Sequence, residues 1–554
     1  MSEPKLGTNN STLQKYLPIL LALAVVLGIW GGLRMQNDVF FKRVKRKAGS
    51  NEVQKSVYQG RVDEILSYID AKYVESVDDS SIVDLALNNV LQNLDPHSAY
   101  IPSTDVKIQN EILEGDFNGV GCETNFYNDT ATVVNVFLES PAEQNQIVAG
   151  DKILAVNEFS AIGKNNRWLQ NWLHGETESL VKLKIQSYNG AVRELSVKKE
   201  KITIHSIPAA YNIDNETMYV KLAHFNKNTT NDFIQTVDKL SEKKKKNLIL
   251  DLRNNPGGYL EKAIDILSQI FPYKDKLMLF TEGRTVHHKE YKSTGRQFFP
   301  INKVAILINN GTASAAEIVA GAVQDYDRGI IIGQRSFGKG LVQEPYILRD
   351  GSELRLSVAR YYTPSGRCIQ RPYRGKSRKE YISEGKSDSL FNAALTQRTQ
   401  FSFDNPDTVI FHTANGRIVK AGGGIRPDIE IKAETITPNP DFNSVKPLCA
   451  VFAKQYFDKI NTDPQISKIS NLTEFIHNVS ISAPVFTNFL SFSEKTLHKK
   501  LDFSISERVE LIKLIEAHCA ALKFGANAFY SYLNNESPEM AESMNFFKSD
   551  APLK

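Results

Sequence analysis

Cysteine is scarce in this chain, and its four copies among 554 residues, Cys122, Cys368, Cys449 and Cys519, are scattered with no Cys-x-x-Cys pair. That spacing offers neither a zinc-ligand set nor a disulfide framework. An excess of one charge is missing as well. With 67 basic against 63 acidic side chains, a formal net charge of +4, nothing in the balance points to nucleic acid as a partner. The run Lys243–Lys246 reads as a solvated helix end ahead of the strand Leu248–Leu250. None of the ten histidines lies in a motif resembling the partner of a catalytic serine, and Gly311-Thr312-Ala313-Ser314-Ala315 is not the Gly-x-Ser-x-Gly elbow of the α/β hydrolases. Around His97 only Asp95 stands close, with no second His or Cys to complete a metal site.

Long apolar runs are also rare, with one exception. Leu17 to Leu33 carries no charge and lies at the short end of what spans a bilayer, with no clean small-x-small cleavage site after it. An uncleaved signal anchor is the favoured reading. Its charge flanks point the other way: Lys5 and Lys15 precede the segment, whereas Arg34, Lys42, Arg43, Lys45, Arg46 and Lys47 follow it. The positive-inside tendency alone would keep the large domain cytoplasmic.

At this length two to four domains are expected. Residues 1–50 form a tail, the anchor over 17–33 and a basic linker. Residues 51–112 are a helical region, with Val62, Ile65, Leu66 and Ile69 at helical spacing, ending at Leu94-Asp95-Pro96-His97-Ser98-Ala99-Tyr100. Over 113–200 the texture turns to short β-like runs with Gly punctuation, such as Thr132–Val136, Ile153–Val156 and Val181–Ile185. Phe117-Asn118-Gly119-Val120-Gly121-Cys122 is a Gly-bearing turn whose N–H groups can converge on an anion. Together with Ser140-Pro141-Ala142-Glu143 and Val148–Asn157, it resembles a PDZ domain, in which such a loop captures a chain-terminal carboxylate while the peptide adds a strand. Gly119, Val120, Gly121 and Cys122 are the corresponding loop residues. Residues 201–440 alternate strands and helices. Residues 441–554 are helical in period, and nothing in them names a task.

Within 201–440, the apolar run Val304–Ile308 leads into Gly311-Thr312-Ala313-Ser314-Ala315-Ala316-Glu317 and then a helix. A serine there is explained as an N-cap or as a nucleophile, and the local stretch does not choose between them. Downstream, Ser336-Phe337-Gly338-Lys339-Gly340 places a lysine beside apolar neighbours, where desolvation would favour the neutral amine that a base requires. Gln343 shares a side with Lys339 if the segment is extended, and its amide could orient the lysine nitrogen. The N–H of Ala315 and one N–H from the Gly257-Gly258 pair after Asp251-Leu252-Arg253-Asn254-Asn255-Pro256 are the natural oxyanion donors.

These motifs, with Gly333–Gln343 and Tyr361-Tyr362-Thr363-Pro364-Ser365-Gly366-Arg367 in the same order behind a PDZ-like module, resemble a carboxyl-terminal processing (tail-specific) serine peptidase over roughly residues 56–430. The resemblance implies an α/β core of the Clp protease/crotonase type with an inserted PDZ domain, an N-terminal helical region and a C-terminal helical extension. It implies Ser314 as nucleophile, Lys339 as general base, Gln343 as its orienting partner, and Ala315 with Gly257 and Gly258 as the oxyanion hole. No metal or cofactor is implied. The expected partners are protein or peptide substrates with free, flexible C-termini and the membrane, through the N-terminal segment, with a homo-oligomer possible. The expected location is the bacterial periplasm, tethered to the inner membrane. Cys122 departs from the aliphatic residue usual at its place. Two other classes remain open, an idle PDZ adaptor and a crotonase-type acyl-CoA enzyme; intact Ser314, Lys339 and Gln343 disfavour the first and the PDZ module the second.

Overall fold

The computed structural model describes residues 52–242, 244, 246–385, 409–432 and 439–549. The anchor expected over 17–33 lies outside these residues. Among the described residues no helix is long and apolar enough to cross a membrane. Helix Glu52–Lys72 and most of helix Asp79–Gln92 form one compact unit, and residues from Asn88 onward form the other.

The core of the larger unit is a six-stranded sheet whose spatial order follows the chain: β1 (Ala209–Asn212), β2 (Thr217–Lys221), β3 (Lys246–Asp251), β4 (Ile301–Ile308), β5 (Ile330–Gly333) and β6 (Ile429–Glu430). Only the edge pair β1 and β2 is antiparallel. Parallel neighbours require crossovers, and α1 (Thr229–Ser241), α2 (Leu260–Ile270) and α3 (Ala315–Asp325) supply them. The strands read as unbroken apolar runs because both faces are covered. Alternate residues divide between them: Leu248, Leu250, Val304, Ile306 and Ile308 pack on Phe233, Val237, Ile266, Val319 and Val323 of the three helices.

The opposite face, with Tyr219, Ile249, Ala305, Leu307, Ile330 and Ile332, is covered by the chain's own C-terminus. Helices Ala526–Asn534 and Pro538–Lys548 lay Tyr530, Met540, Met544, Phe546 and Phe547 against it. The C-terminal extension is therefore part of the core. Its earlier portion, helices between Pro440 and Phe524, has an interior of its own around Leu448, Phe452, Phe475, Phe489, Leu511 and Ile515, which also holds Cys449 and Cys519. Burial pushes both thiols up, Cys519 to about 12, as expected of structural rather than reactive cysteines.

A second sheet flanks the core. Strand Glu353–Tyr362 pairs along one side with Leu341–Ile347 and on the other with Ala99–Ile101 and Lys274–Glu282. Asp350 and Gly351 lie in the turn between Leu341–Ile347 and Glu353–Tyr362, and the helical region read over 51–112 contributes a strand that is sewn into this sheet. Between residues 116 and 203 the chain leaves the core to form a small β-module, with a sheet of strands Cys122–Tyr127, Thr130–Val136, Lys152–Val156, Leu180–Gln186 and Val192–Lys198.

Removing residues 526–554 exposes the Ile249, Leu307 and Ile332 face. The expected result is aggregation, or a fall in melting temperature of at least about 10 °C, read by gel filtration and thermal scanning. A monodisperse truncation with an unchanged melting temperature would show that these helices are dispensable.

Candidate active site

Two loops at the C-terminal ends of β3 and β4 build the site. Asn309 closes the turn after β4 by donating its N–H to Thr312 Oγ1 (3.0 Å), while Thr312 Oγ1 donates across to the Leu252 carbonyl (2.8 Å). The Asn309 side-chain oxygen takes the N–H of Asn254 (2.8 Å), and the N–H of Ala313 reaches the Asn255 carbonyl (2.9 Å). The loop after β3 is thus fastened to the loop that carries Ser314.

Ser314 precedes α3 with φ 54° and ψ −119°, a strained conformation for a residue with a Cβ. Ser314 and Glu317 form a capping box at the start of the helix, and the Glu317 N–H also reaches the Ser314 carbonyl oxygen (2.8 Å). The strain is held by Glu317, whose carboxylate is fully buried. Oε2 accepts the N–H of Ser314 (2.8 Å) and of Lys339 (2.9 Å), and Oε1 accepts the N–H of Gly338 (2.7 Å) and the Ser336 hydroxyl (2.5 Å). Burial pushes this carboxyl up to about 7 against those four donors. Tyr361 completes the clamp, its hydroxyl lying between the carbonyl oxygens of Lys339 (2.5 Å) and Ser314 (3.1 Å).

Lys339 donates from Nζ to Gln343 Oε1 at 2.7 Å, and Gln343 Nε2 donates to the His97 carbonyl oxygen at 2.7 Å. A β-bulge between Val342 and Gln343 aims that side chain, a common device beside reactive centres. Burial lowers the Lys339 ammonium from its ordinary value to about 8; the Arg355 charge adds to the fall, and Glu317 and Asp95 oppose it. A lysine near 8 is half neutral at about pH 8, so an appreciable fraction serves as a base just above neutrality.

The oxyanion candidates separate. Gly257 has φ 99°, and a Cβ there would stand 2.7 Å from Ser314 Cβ and 2.9 Å from the Ala315 nitrogen, so glycine keeps the space beside the serine open. Its N–H, however, is committed to Asn255 Oδ1 (2.8 Å), which leaves Gly258 as the member of the pair with a donor to offer. In the parallel bridge between Phe225 and Gly258 the bonds run from Phe225 N–H to the Gly257 carbonyl and from Tyr259 N–H to the Phe225 carbonyl. Gly258's own N–H is left over. Among the described residues neither it nor the Ala315 N–H at the start of α3 has an acceptor. No group of three His, Cys, Asp or Glu among them could hold a metal ion.

In the β-module, Cys122–Tyr127 is an edge strand with Thr130–Val136 as its sheet neighbour, and helix Asn166–Leu173 lies beside it. The two sequence features singled out there buttress each other. Gly121 (φ 90°) has no room for a Cβ, which would fall 2.3 Å from Ser140 Cβ, and Ser140 Oγ donates to the Gly121 carbonyl (3.1 Å). Phe137 N–H bonds the Gly121 carbonyl (3.0 Å), so ladder alternation turns the Cys122 N–H to the open edge. Val120 differs from expectation because its N–H is taken by the Leu173 carbonyl (3.0 Å), and Gly119 bridges to His174. The Cys122 thiol is pushed up to about 12 by burial and then by Glu123, and is inert.

A profile of peptidase family S41 matches residues 216–375. A carboxy-terminal-processing protease of Bartonella bacilliformis is 32% identical over 326 residues, covering 58% of this chain and 74% of that protein. Carboxy-terminal processing protease CtpB of Bacillus subtilis is 30% identical over 336 residues, covering 59% and 69%. A solved photosystem II D1 C-terminal processing protease aligns over 55% of this chain and 82% of its own, at 28% identity and a TM-score of 0.34.

Glu317→Gln tests the clamp. An amide offers one acceptor oxygen and places an N–H2 where two donors now point, stranding buried donors at about 1–3 kcal/mol each. A lower melting temperature and a lower kcat are expected together; a variant unchanged in both would show that the carboxylate does not hold the site.

Proposed function

Because this chain belongs to peptidase family S41 and is a carboxy-terminal processing serine protease, we propose that it works through a Ser314–Lys339 dyad and an acyl-enzyme, on tails captured by a PDZ-type groove. One observation carries the reading: a single buried carboxylate accepts the backbone N–H of both Ser314 and Lys339, which fixes two residues distant in sequence in one site.

Neutral Lys339 takes the Ser314 hydroxyl proton as Oγ attacks the scissile carbonyl carbon. The oxyanion is received by the N–H groups of Ala315 and Gly258, with the positive end of α3 behind the first. The Lys339 ammonium then protonates the departing amine, the C–N bond breaks, and an ester on Ser314 remains. Water, deprotonated by Lys339, hydrolyses that ester and returns the serine. Gln343 holds the amine throughout.

The groove between Cys122–Tyr127 and helix Asn166–Leu173 takes the substrate as an added strand, its terminal carboxylate at the Gly121–Cys122 amides. Leu173 closes the end of the loop by occupying the Val120 N–H. The chemical class it fits is an unstructured polypeptide ending in apolar residues.

The test is cleavage of a protein bearing an apolar C-terminal tail. Wild type cleaves it; Ser314→Ala and Lys339→Ala fall by at least about 10³-fold. Amidating the tail raises KM. For wild type, kcat/KM climbs with pH to a plateau above about 8, the neutral-lysine side of the titration, and Arg355→Ala moves that limb to higher pH by removing a charge that lowers the Lys339 value. Full activity in both alanine variants would refute the dyad, and an unchanged KM on amidation would refute carboxylate capture.

We further place the peptidase on the periplasmic side, tethered through residues 17–33, a reading supported by the apolar character of that segment. External protease added to spheroplasts should then digest the chain without lysis, and protection until lysis would put the domain in the cytoplasm.

A further inference from the structure

The motif Leu94–Tyr100 lies outside the residues matched to the peptidase family, and the chemistry above uses only one of its atoms. The His97 ring is not that atom. It packs edge-on against Tyr381 and Phe337, with Nε2 3.2 Å from the Tyr381 hydroxyl, and is kept neutral, its pKa lowered to about 3 by burial and then by the Lys339 charge. What faces the reactive centre is the His97 main-chain carbonyl, at the tip of a tightly bonded turn.

Asp95, buried, holds that turn. Its Oδ1 accepts the N–H of His97 and of Ser98, both at 2.7 Å, and its Oδ2 accepts the Ser98 hydroxyl at 2.6 Å. Ser98 Oγ in turn accepts the N–H of Ser357 (3.1 Å), the residue paired across the ladder with Gln343. The turn is therefore fastened to the strand beside the glutamine it contacts.

We propose that the Asp95–Ser98 turn is a positioning element of the peptidase site: its His97 carbonyl fixes which end of the Gln343 amide faces Lys339. A glutamine amide has nearly the same shape in its two flipped orientations but opposite hydrogen-bonding ends. A carbonyl oxygen can only accept, so it selects the N–H2 end, and Oε1 is left for Lys339 Nζ at 2.7 Å. The orientation matters because a neutral amine has one lone pair. An acceptor oxygen engages an N–H of that amine and leaves the pair for the serine proton, whereas a flipped amide would donate into the pair and occupy the base. The proposal rests on the dyad reading above.

A double-mutant cycle in the full-length protein tests it. Asp95→Ala should lower kcat about 10- to 100-fold with KM little changed. In a Gln343→Ala background the same substitution should change kcat by less than about 3-fold, since there is no amide left to orient. Asp95→Asn keeps an oxygen for both N–H groups and should restore most of kcat. If Asp95→Ala does not fold, Ser98→Ala carries the same cycle. Equal losses in both backgrounds, or an Asp95→Ala enzyme with wild-type kcat, would overturn the role of the turn. Full activity in Ser314→Ala and Lys339→Ala would instead overturn the dyad, so the two failures are distinguishable.

Discussion

A carboxylate without exposure to water is the constraint on which this site depends. Glu317 gathers four donors from two segments, the start of α3 and the loop Ser336–Lys339, and no neutral side chain of its size could accept from all of them. Burying an anion is costly unless its lone pairs are filled, and here they are filled by the groups whose placement matters. The interaction also explains the backbone at Ser314. A positive φ on a serine persists only where surroundings over-determine it, and Glu317 from below with Tyr361 from the side do so.

The same logic of filled buried charge joins the core to the C-terminus. Asp251 ends β3; burial raises its carboxyl, but Lys221 and Arg253 outweigh that and hold it well below the usual carboxylate range. Arg253 also donates to Asn534 (2.9 Å) on the helix that covers the back of the sheet, and Asn534 donates to Tyr211 (3.0 Å). The loop that leads to Gly257 and Gly258 therefore begins on a strand braced by the last helices of the chain. A parallel sheet needs both faces covered, and this chain brings the second cover from its far end.

Much of this was legible beforehand. The motifs that carry Ser314, Lys339 and Gln343 stand in order along the chain, and the alternation of strands and helices over 201–440 fits the sheet and its crossovers. The Ser-x-x-Glu spacing of Ser314 and Glu317 is a capping-box signature that could have exposed the clamp, though it would have been read as a helix cap, with the serine hydroxyl employed. What could not be read were main-chain commitments. The Gly257 N–H belongs to Asn255 and the Val120 N–H to Leu173, and a carbonyl such as that of His97 leaves no trace in residue identity because every residue has one. Likewise, the helical period of the last hundred residues showed that they bury a face without saying that the face opposite belongs to the core sheet.

The segment that follows the His97 turn links the sheet beside Lys339 to the β-module. Strand Ala99–Ile101 pairs with Glu353–Arg355, and helix Ser103–Glu114 runs on from it. On one side Asn110 donates to Glu353 (3.0 Å) and receives Arg355 (2.7 Å), the residue whose charge lowers the Lys339 value. On the other, Asp105 pairs with Arg167 and Glu111 with His174 (3.0 Å), at the two ends of helix Asn166–Leu173. Helix Asn166–Leu173 and the strand that bears Arg355 and Ser357 are therefore bonded to the same helix.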